Sequence, residues 1–480
     1  MKPAELIALA PLLIVAGSAL VVMLAIAVHR NHLLTAALTI GGLTLALFSL
    51  PILAPLLPQR VTTLLIADRY AFFYMGLIFA ATLATAFFAY GYLEKSAAAP
   101  EEFYLLLLLA ATGAAVLVAS SHFASLFLGL ETLSVSLYGL VAYLRSREQG
   151  LEGALKYLVL AALSSAFLLF GMALLYAEFG TLEFGALAEQ VTRAPGTNIL
   201  LLAGTTLLIT GLGFKLALVP FHMWAADVYE GAPLPVTAFI ATVSKGAVFA
   251  LLLRYFRTAT LPPEGAFFLL FSIIALVSMF VGNLLALFQE NVKRLLAYSS
   301  IAHLGYLLVA FLANGLLATT TVTFYLTTYF VTLYGAFGVM SLLSDGGGEA
   351  DTLAHYRSLA WHRPWVAGVL TAMLLSLAGI PLTAGFLGKF TVLAAGVASS
   401  LWTLTIALVL NSALGLFYYL RLILVIFAPP EETPGEERSR LPAISPAGHL
   451  VLAVLLLLLL WLGLFPGPIL ELLSTLAIGP

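Results

Sequence analysis

Apolar stretches of about 20 residues, the length at which an α-helix crosses a bilayer, recur along the whole chain with short polar breaks between them. The pattern predicts an all-α polytopic membrane protein with about fourteen transmembrane helices. The break at 120–122 (SSH) is short enough that one long helix through it is the alternative. The predicted spans lie near residues 5–28, 33–53, 71–93, 103–120, 122–143, 155–177, 198–219, 234–256, 266–288, 295–313, 317–343, 364–395, 402–427 and 447–470.

Composition agrees with this pattern over all 480 residues, since 62% are hydrophobic and only 9% are charged, against about 25% in soluble proteins. The first apolar stretch exceeds the 7–15 residues of a signal peptide, so we expect it to remain as a transmembrane helix. Cysteine is absent, which excludes disulfides, thiolate-bound iron–sulfur clusters and cysteine-based zinc sites. The formal charge of −2 and the lack of a basic run give no indication of nucleic-acid binding.

The distribution of basic residues predicts the orientation in the membrane. An even number of spans places both termini on one side, and basic residues favour cytoplasmic loops. If the termini lie outside, twelve basic residues fall inside and six outside, so both termini are expected on the periplasmic side, although Arg254 and Arg257 count against this. The inner set is Arg30, Lys95, Arg145, Arg147, Lys156, Lys293, Arg294, Arg357, Arg363, Arg421, Arg438 and Arg440, and the outer set is Lys2, Arg60, Arg69, Arg193, Arg254 and Arg257.

Three further lysines lie inside predicted spans: Lys215 in GLGFKLALVP, Lys245 in TAFIATVSKGAVFALLL and Lys389 in AGIPLTAGFLGKF. Among the carboxylates, only Glu131 lies near the middle of a span. Four unpaired ionisable residues at this depth would together cost about 10 kcal/mol, so they indicate function. The structural alternatives are that Lys215 reaches a nearby helix end and that Glu131 is a protonated, hydrogen-bonded residue.

Two of these lysines lie beside predicted helix breaks. Lys215 precedes Pro220, and Lys389 lies in a stretch too long for one straight span, interrupted by proline and by glycines. Broken helices in corresponding halves point to ion sites in transporters built from inverted repeats. We expect Lys215 to lie at the C-terminal end of a half-helix, which stabilises its charge, and Lys389 to face the opposite, N-terminal end of one.

Buried lysines next to a carboxylate suit proton transfer. Desolvation favours the neutral lysine, whereas a nearby carboxylate favours the charged one, so the balance between them moves a proton. Glu131 with Lys215 is the predicted couple, and Lys245 and Lys389 would pass the proton on, which requires all four to lie close together.

Other polar residues near the spans leave alternatives open. His222 and His303 are either hydrogen-bonded core residues or members of a proton relay. Tyr298, with Ser299 and Ser300, either carries a hydrogen-bonded chain or ties helices together. The loop SDGGGEAD lacks a phosphate-binding motif, and GLGFKL is not a dinucleotide fingerprint, so no redox cofactor site is predicted.

Three stretches, GLGFKLALVPFHMWAADVYEGAP at 211–233, KRLLAYSSIAHLGY at 293–306 and GIPLTAGFLGKF at 379–390, closely resemble the antiporter-like membrane subunits of respiratory complex I. They are also similar to the large subunits of Mrp-type sodium/proton antiporters, and the resemblance runs over essentially the whole chain. Within the family the chain looks most like the N-type branch of bacterial NADH:quinone oxidoreductase, the counterpart of mitochondrial subunit 2. GFLGKF carries lysine where another branch has glutamate, and the chain ends soon after the fourteenth helix, without a long lateral helix.

The resemblance implies inverted repeats of helices 4–8 and 9–13, with helices 7 and 12 broken. It implies a single transmembrane domain over 1–480, made of N-terminal helices (1–100), a first repeat (101–260), a second repeat (261–430) and a last helix (431–480). By the same resemblance, Glu131 matches the family glutamate on helix 5 and Lys215 its partner on helix 7. Lys245 matches the central lysine on helix 8, and Lys389 the lysine on helix 12 that leads towards the periplasm. Lys156 matches a basic residue that helps proton uptake, and His222, Tyr298 and His303 lie in matching motifs.

The implied activity is proton translocation by a subunit of NADH:quinone oxidoreductase in the bacterial inner membrane. NADH, FMN, iron–sulfur clusters and quinone would be bound by partner subunits, with no cofactor in this chain. The implied partners are other complex I subunits, especially neighbouring antiporter-like and small membrane subunits, together with the lipid bilayer and protons but no nucleic acid. The alternatives are a stand-alone or Mrp-type cation/proton antiporter subunit and a purely structural membrane subunit.

Overall fold

The computed structural model describes residues 3–96, 99–145, 147–193, 198–258, 265–313, 315–344, 348–430 and 446–476. These ranges are helical nearly throughout. Their only strands, β1 (Gln59–Val61) and β2 (Leu65–Ala67), form a small antiparallel hairpin in which Arg60 pairs with Ile66. Thirteen described helical segments are long and apolar enough to cross a membrane, and two consecutive shorter apolar helices, Pro364–Ala378 and Ala384–Ala398, occupy the place of the remaining predicted span. The prediction of an all-α polytopic membrane protein is confirmed.

The chain begins with three crossings that precede the repeats. The first predicted span is divided into a short helix and a long one, and the β-hairpin lies between the second and third crossings. These helices are α1 (Pro3–Ala8), α2 (Ala10–Val28), α3 (His32–Leu53) and α4 (Arg69–Ser96).

The first set of five crossings follows. The SSH break is real: α5 ends before it and α6 begins after it, because Ser120 bridges to Leu65 and His122 bridges to Glu183. A π-helical turn at Ile240–Ser244 interrupts the last crossing immediately before Lys245. The helices are α5 (Glu101–Ala119), α6 (Phe123–Val141), α7 (Glu148–Phe179), the short α8 (Phe184–Arg193), α9 (Ile199–Leu216), α10 (Trp224–Gly231), α11 (Leu234–Phe239) and α12 (Lys245–Thr258).

The second set of five crossings has the same plan, and one more crossing closes the chain. Its fourth crossing consists of two half-helices, α17 and α18, which contact each other. The helices are α13 (Ala266–Leu287), α14 (Val292–Phe311), α15 (Gly315–Leu343), the short α16 (Leu359–His362), α17 (Pro364–Ala378), α18 (Ala384–Ala398), α19 (Trp402–Phe427), α20 (Pro446–Leu464) and α21 (Gly467–Leu476).

The two sets pack in the same way and point in opposite directions. In each set the first two helices pack on one another, the third packs on both halves of the broken fourth, and the fifth packs back on the first. Because each set crosses five times, an odd number, the second set starts from the opposite end of the bundle. This is the arrangement of inverted repeats that the sequence predicted.

The two ends of the bundle differ in the residues they hold, and each is named here after one of them. The Asp68 end holds the β-hairpin, the SSH break and Arg254, which contacts Asp68. The Asn291 end holds Asn291, which bridges to Thr352.

Both helix breaks predicted from proline and glycine are present. The helix α9 ends where Ala217 takes a left-handed conformation, with φ of 57°, and α10 does not begin until Trp224. The helix α17 ends at Gly379, whose φ of 84° favours glycine, and Thr383 caps the start of α18 by accepting a hydrogen bond from the Phe386 N–H.

Three basic residues that the sequence assigns to the two sides of the membrane turn inward from helices. Lys293 is the second residue of α14 and is fully buried, with 0% of its side chain exposed. Arg254 lies on α12 and Arg421 on α19, and each donates a hydrogen bond to a backbone carbonyl at the end of a neighbouring helix. Hydropathy alone places a charge near a helix end but does not show that it turns inward. Lys2, Arg438 and Arg440 lie outside the described residues.

Candidate functional site

Glu131 and Lys215 lie on two different helices, and Lys215 binds a serine one turn away from Glu131. Glu131, halfway along α6, accepts a 2.5 Å hydrogen bond from Ser165 Oγ on α7. The Lys215 ammonium donates a 2.7 Å hydrogen bond to Ser134 Oγ, which lies about one turn after Glu131 on α6. Among the described residues the two form no direct ion pair, but their charges interact. The predicted couple is therefore brought near to one another, and the partner of Lys215, Ser134, is a residue that the sequence did not reveal.

The backbone around Lys215 favours its charged form. Lys215 lies in the last turn of α9, where the unpaired carbonyls carry the negative end of the helix dipole. Its residue surface is only 3% exposed, and its nitrogen lies 5.9 Å from the centre of the Tyr157 ring. The predicted place at the C-terminal end of a half-helix is confirmed, and its burial excludes the alternative of a lysine that reaches the membrane surface.

Lys245 occupies the centre of the bundle and binds a serine shared with two tyrosines. It is 1% exposed and donates a 2.7 Å hydrogen bond to Ser300 Oγ on α14. The hydroxyl of Tyr329 lies 2.8 Å and that of Tyr229 lies 3.4 Å from the same oxygen. A serine hydroxyl has one proton and two lone pairs, so three neighbours use its full capacity. The proton positions on Lys245, Tyr229 and Tyr329 are therefore coupled through Ser300.

His303 continues this network one turn further along α14. Its Nδ1 lies 2.8 Å from the Tyr325 hydroxyl, and its Nε2 lies 3.2 Å from the Tyr419 hydroxyl. Its ring also lies 5.4 Å from the Tyr329 ring, centre to centre. A cavity of about 10 Å³, roughly the room for one water, is lined by His303, Tyr329 and Ser376 among others. The hydrogen-bonded position of His303 between tyrosines fits both alternatives, a core residue and a member of a proton relay.

Lys389 binds the end of the other half-helix, which overturns one expectation. Its ammonium reaches back across the break and donates 3.0 Å hydrogen bonds to the Ala378 carbonyl and to Ser412 Oγ. Ala378 is the last residue of α17, so Lys389 faces a C-terminal helix end and not an N-terminal one. The predicted contrast between Lys215 and Lys389 was wrong, because a lysine chain spans more than one turn. A cavity of about 280 Å³ lies beside this lysine.

The other predicted residues lie outside this buried row. The Lys156 side chain is 44% exposed at the Asn291 end and pairs at 2.7 Å with both Glu152 and Asp227. His222 lies between the two halves of the first broken helix, with its Nδ1 buried and without a partner in the described structure. Tyr298 is half-buried, packs against the apolar core and makes no side-chain hydrogen bond among the described residues.

A buried charge cluster at the Asn291 end was missed. The Glu349 carboxylate lies 2.7 Å from Lys293 Nζ and 2.8 Å from Arg147 Nη1, and it also accepts hydrogen bonds from the Tyr92 hydroxyl and the Leu234 N–H. Burial by itself would raise the pKa of Glu349, but the charges of Lys293 and Arg147 hold this pKa below its usual value. No pattern in the sequence indicates this cluster, because its members lie at helix ends and in a loop.

Within the described residues, no group of three or more His, Asp or Glu side chains could hold a metal ion. The side chains brought together are instead lysines, hydroxyls and an imidazole that alternate as donors and acceptors. Such an arrangement can carry protons between neighbouring groups.

The fold and this buried row define a polytopic membrane protein of the antiporter-like class. A family model described as "NADH:quinone oxidoreductase/Mrp antiporter, TM" matches residues 120–415. The chain belongs to the family of NADH-quinone oxidoreductase subunit N. A protein with that name from Ectopseudomonas mendocina (strain ymp) is 50% identical over 99% of this chain and 97% of its own length. One from Nitrosospira multiformis is 52% identical over 98% of this chain and 96% of its own.

A solved structure agrees with these relatives. A chain in the structure of respiratory complex I from Thermus thermophilus with bound aureothin is 36% identical, with a TM-score of 0.83. The match covers 97% of this chain and 99% of that one.

Proposed function

We propose that this chain is a proton-translocating membrane subunit of NADH:quinone oxidoreductase. The observation that carries the proposal is the position of Lys245, buried at the centre of the bundle and bonded to Ser300 between Tyr229 and Tyr329. Burying an ammonium at this depth costs free energy, so such a residue indicates a function, and its partners here are groups that can relay a proton.

The proposed route begins at the half-exposed pair of Lys156 and Asp227 at the Asn291 end. It continues through Glu131 and Lys215 to Lys245. Lys215 Nζ lies 5.9 Å from the centre of the Tyr157 ring and Lys245 Nζ lies 5.1 Å from the centre of the Tyr229 ring, and the proposed transfer between the two lysines passes these rings.

From Lys245 the route continues through Ser300 and His303 to Lys389, whose charge interacts with that of His303. The cavity beside Lys389 is its proposed outlet. His222 and Tyr298 have no place in this route.

Moving one charge against 100 mV requires about 2.3 kcal/mol, which no group in this chain supplies. We infer that redox chemistry in partner subunits, where NADH, FMN, iron–sulfur clusters and quinone would be bound, drives the transfer from a distance. The partners are the other subunits of the complex, among them neighbouring antiporter-like and small membrane subunits. The proposed location is the bacterial inner membrane with both termini on the periplasmic side, which makes the Asp68 end the outer one.

The proposed division is a single transmembrane domain with N-terminal helices in 1–100, a first repeat in 101–260, a second repeat in 261–430 and a last helix in 431–480. The packing of the two sets of five helices supports these boundaries. The second candidate function is that of an Mrp-type cation/proton antiporter subunit, since the matching family model includes both groups.

The experiment is to tag the protein, solubilise native membranes gently and assay the purified material for NADH-driven quinone reduction. Recovery of a large, active assembly supports the proposal, whereas recovery of the chain alone or with only small membrane partners favours an exchanger. In the active assembly, Lys215→Ala should abolish proton uptake into vesicles. A Lys215→Ala assembly that pumps normally would show that the buried charges are structural.

A further inference from the structure

Arg254 closes one end of the first repeat by joining three helices. Its guanidinium makes two 2.8 Å hydrogen bonds to the carboxylate of Asp68, just before α4, and its Nε donates a 3.1 Å hydrogen bond to the Val118 carbonyl at the end of α5. It also lies 4.8 Å from the centre of the Tyr70 ring. Its side chain is only 12% exposed, so this is an internal contact at the Asp68 end.

A line of hydroxyl groups leads inward from Arg254, and we call it the Tyr74 line. Tyr70 and Tyr74 lie with their rings 4.8 Å apart, and the Tyr74 hydroxyl lies 2.9 Å from Thr323 Oγ1 on α15. Five residues beyond Thr323 on α15, Thr328 lines the water-sized cavity that His303 also lines. The Tyr74 line thus leads from the Asp68 end towards the central row.

Arg421 makes the matching contact in the second repeat, at the opposite end of the bundle. It lies near the end of α19 and donates hydrogen bonds to the Leu287 carbonyl, 3.2 Å away at the end of α13, and to the Gln289 carbonyl. The two arginines correspond: each lies on the fifth helix of its set and bonds the C-terminal end of the first helix. Because the sets are inverted, Arg254 lies at the Asp68 end and Arg421 at the Asn291 end.

A second polar line, which we call the Asn283 line, leads inward from Arg421. Asn283 lies one turn before Leu287 on α13, accepts a 2.9 Å hydrogen bond from Tyr418 and donates a 3.0 Å hydrogen bond to the Tyr306 hydroxyl. The Tyr306 ring in turn lies 5.4 Å from Lys389 Nζ. The Asn283 line thus connects the Asn291 end with the last lysine of the row.

We propose that Arg254 and Arg421 are paired closing residues that keep the Tyr74 line and the Asn283 line from conducting protons. Without Arg254, the Tyr74 line would join the central row to the Asp68 end, and without Arg421, the Asn283 line would join the row to the Asn291 end. With both lines open, protons would flow back across the membrane and the pumping would be lost. A fixed positive charge at the mouth of a polar line repels hydronium and other cations, as arginines do in water-selective pores. Neither arginine touches the row itself, so each acts by position and charge.

The inference rests on the proposed function, and its test is separable from that function. The purified complex is reconstituted into vesicles, and passive proton permeability is measured without NADH under an imposed potassium diffusion potential. Arg254→Gln and Arg421→Gln should each raise this permeability about tenfold, which corresponds to about 1.36 kcal/mol off the barrier. Arg254→Lys and Arg421→Lys keep the charge and should stay close to the wild type.

Matched controls exist at both ends. Arg60→Gln removes an arginine at the Asp68 end that is 60% exposed and pairs with Glu183, and Arg30→Gln does the same beside Glu102 at the Asn291 end. Both controls should leave permeability unchanged. The proposal would be overturned if the glutamine variants had the same proton permeability as the wild type. It would also be overturned if the controls were as permeable as the glutamine variants.

If Arg254→Gln does not assemble, Asp68→Asn takes its place. This variant keeps the positive charge, so vesicles should remain tight, and a leak there would contradict the role of charge. Failure of the proposed function would be shown by a different result, which is normal NADH-driven proton pumping by the complex that carries Lys215→Ala.

Discussion

The ammonium of Lys245 and the hydroxyl of Ser300 lie 2.7 Å apart at the centre of the bundle, where the first repeat meets the second. Lys245 begins α12 directly after the π-helical turn, and Ser300 lies on α14. Irregular turns of this kind often occur at functional sites, because they redirect the side chains that follow. The contact therefore joins the two inverted repeats through a pair of groups that can exchange a proton.

Ser300→Ala tests this junction. The change removes the one hydrogen-bond partner that Lys245 has among the described residues and separates it from Tyr329. We therefore expect proton pumping to fall roughly ten- to hundredfold, the loss of about 1.5–3 kcal/mol from a hydrogen bond to a charged group. Coupled quinone reduction should slow with it. The matched control is Ser341→Ala, because Ser341 is also buried but has no hydrogen-bond partner among the described residues. Equal activity in the two variants would contradict the role of Ser300.

Glu131→Gln tests the electrostatic link to Lys215. The substitution keeps the hydrogen bond from Ser165 but removes the negative charge that favours the protonated lysine. We expect pumping to fall by roughly tenfold with little change in assembly, measured as proton uptake per complex. Glu178→Gln, at an exposed carboxylate that accepts a hydrogen bond from Asn198, is the control and should pump nearly as the wild type does.

Gly379→Ala tests the position of Lys389 at the second helix break. A Cβ at Gly379 would lie 2.9 Å from Cδ of Lys389, and the φ of 84° is strained for any other residue. Gly180→Ala is the control, because it introduces the same strain at φ of 65° with nothing within 4 Å. Both variants should lose about 1–2 kcal/mol of stability from backbone strain. Only Gly379→Ala should also lose pumping in the assembled complex, and equal pumping by both would place Lys389 outside the route.

Glu349→Gln tests the buried cluster at the Asn291 end. The change leaves Lys293 and Arg147 without their shared carboxylate, so we expect a loss of about 3–5 kcal/mol, seen as earlier thermal unfolding of the complex. Glu183→Gln, at a partly exposed pair with Arg60, should cost about 0–1 kcal/mol.

The pH dependence of this cluster has a definite sign. The pKa of Glu349 is depressed in the folded protein, because the charges of Lys293 and Arg147 outweigh the opposing effect of burial. Its contribution to stability is therefore present above the pKa of an unfolded glutamate, about 4.3, and is lost as the pH falls through the lower folded value. Melting temperatures between pH 3 and 6 should fall more steeply for the wild type than for Glu349→Gln, and parallel curves would contradict this.

The spans, the two breaks and the four ionisable residues within the spans could be predicted because each leaves a local signal. A lysine in an apolar run or a proline within a span needs no knowledge of neighbours. The hydroxyl partners could not be predicted, because Ser134 and Ser300 look like any serine on a membrane helix. The direction of a side chain was also beyond the sequence: Lys293 looked like a loop residue, Arg254 looked like the outer end of a span, and Lys389 turned towards Ala378.

The most direct test of the central claim is to record proton uptake and NADH oxidation together in vesicles that contain the wild-type complex or its Lys245→Ala variant. NADH oxidation by an artificial electron acceptor serves as the measure of intact assembly and should be equal in both. The account predicts that Lys245→Ala abolishes proton uptake and slows quinone reduction, since transfer between the two repeats is blocked. A Lys245→Ala complex with the same number of protons moved per NADH as the wild type would contradict it.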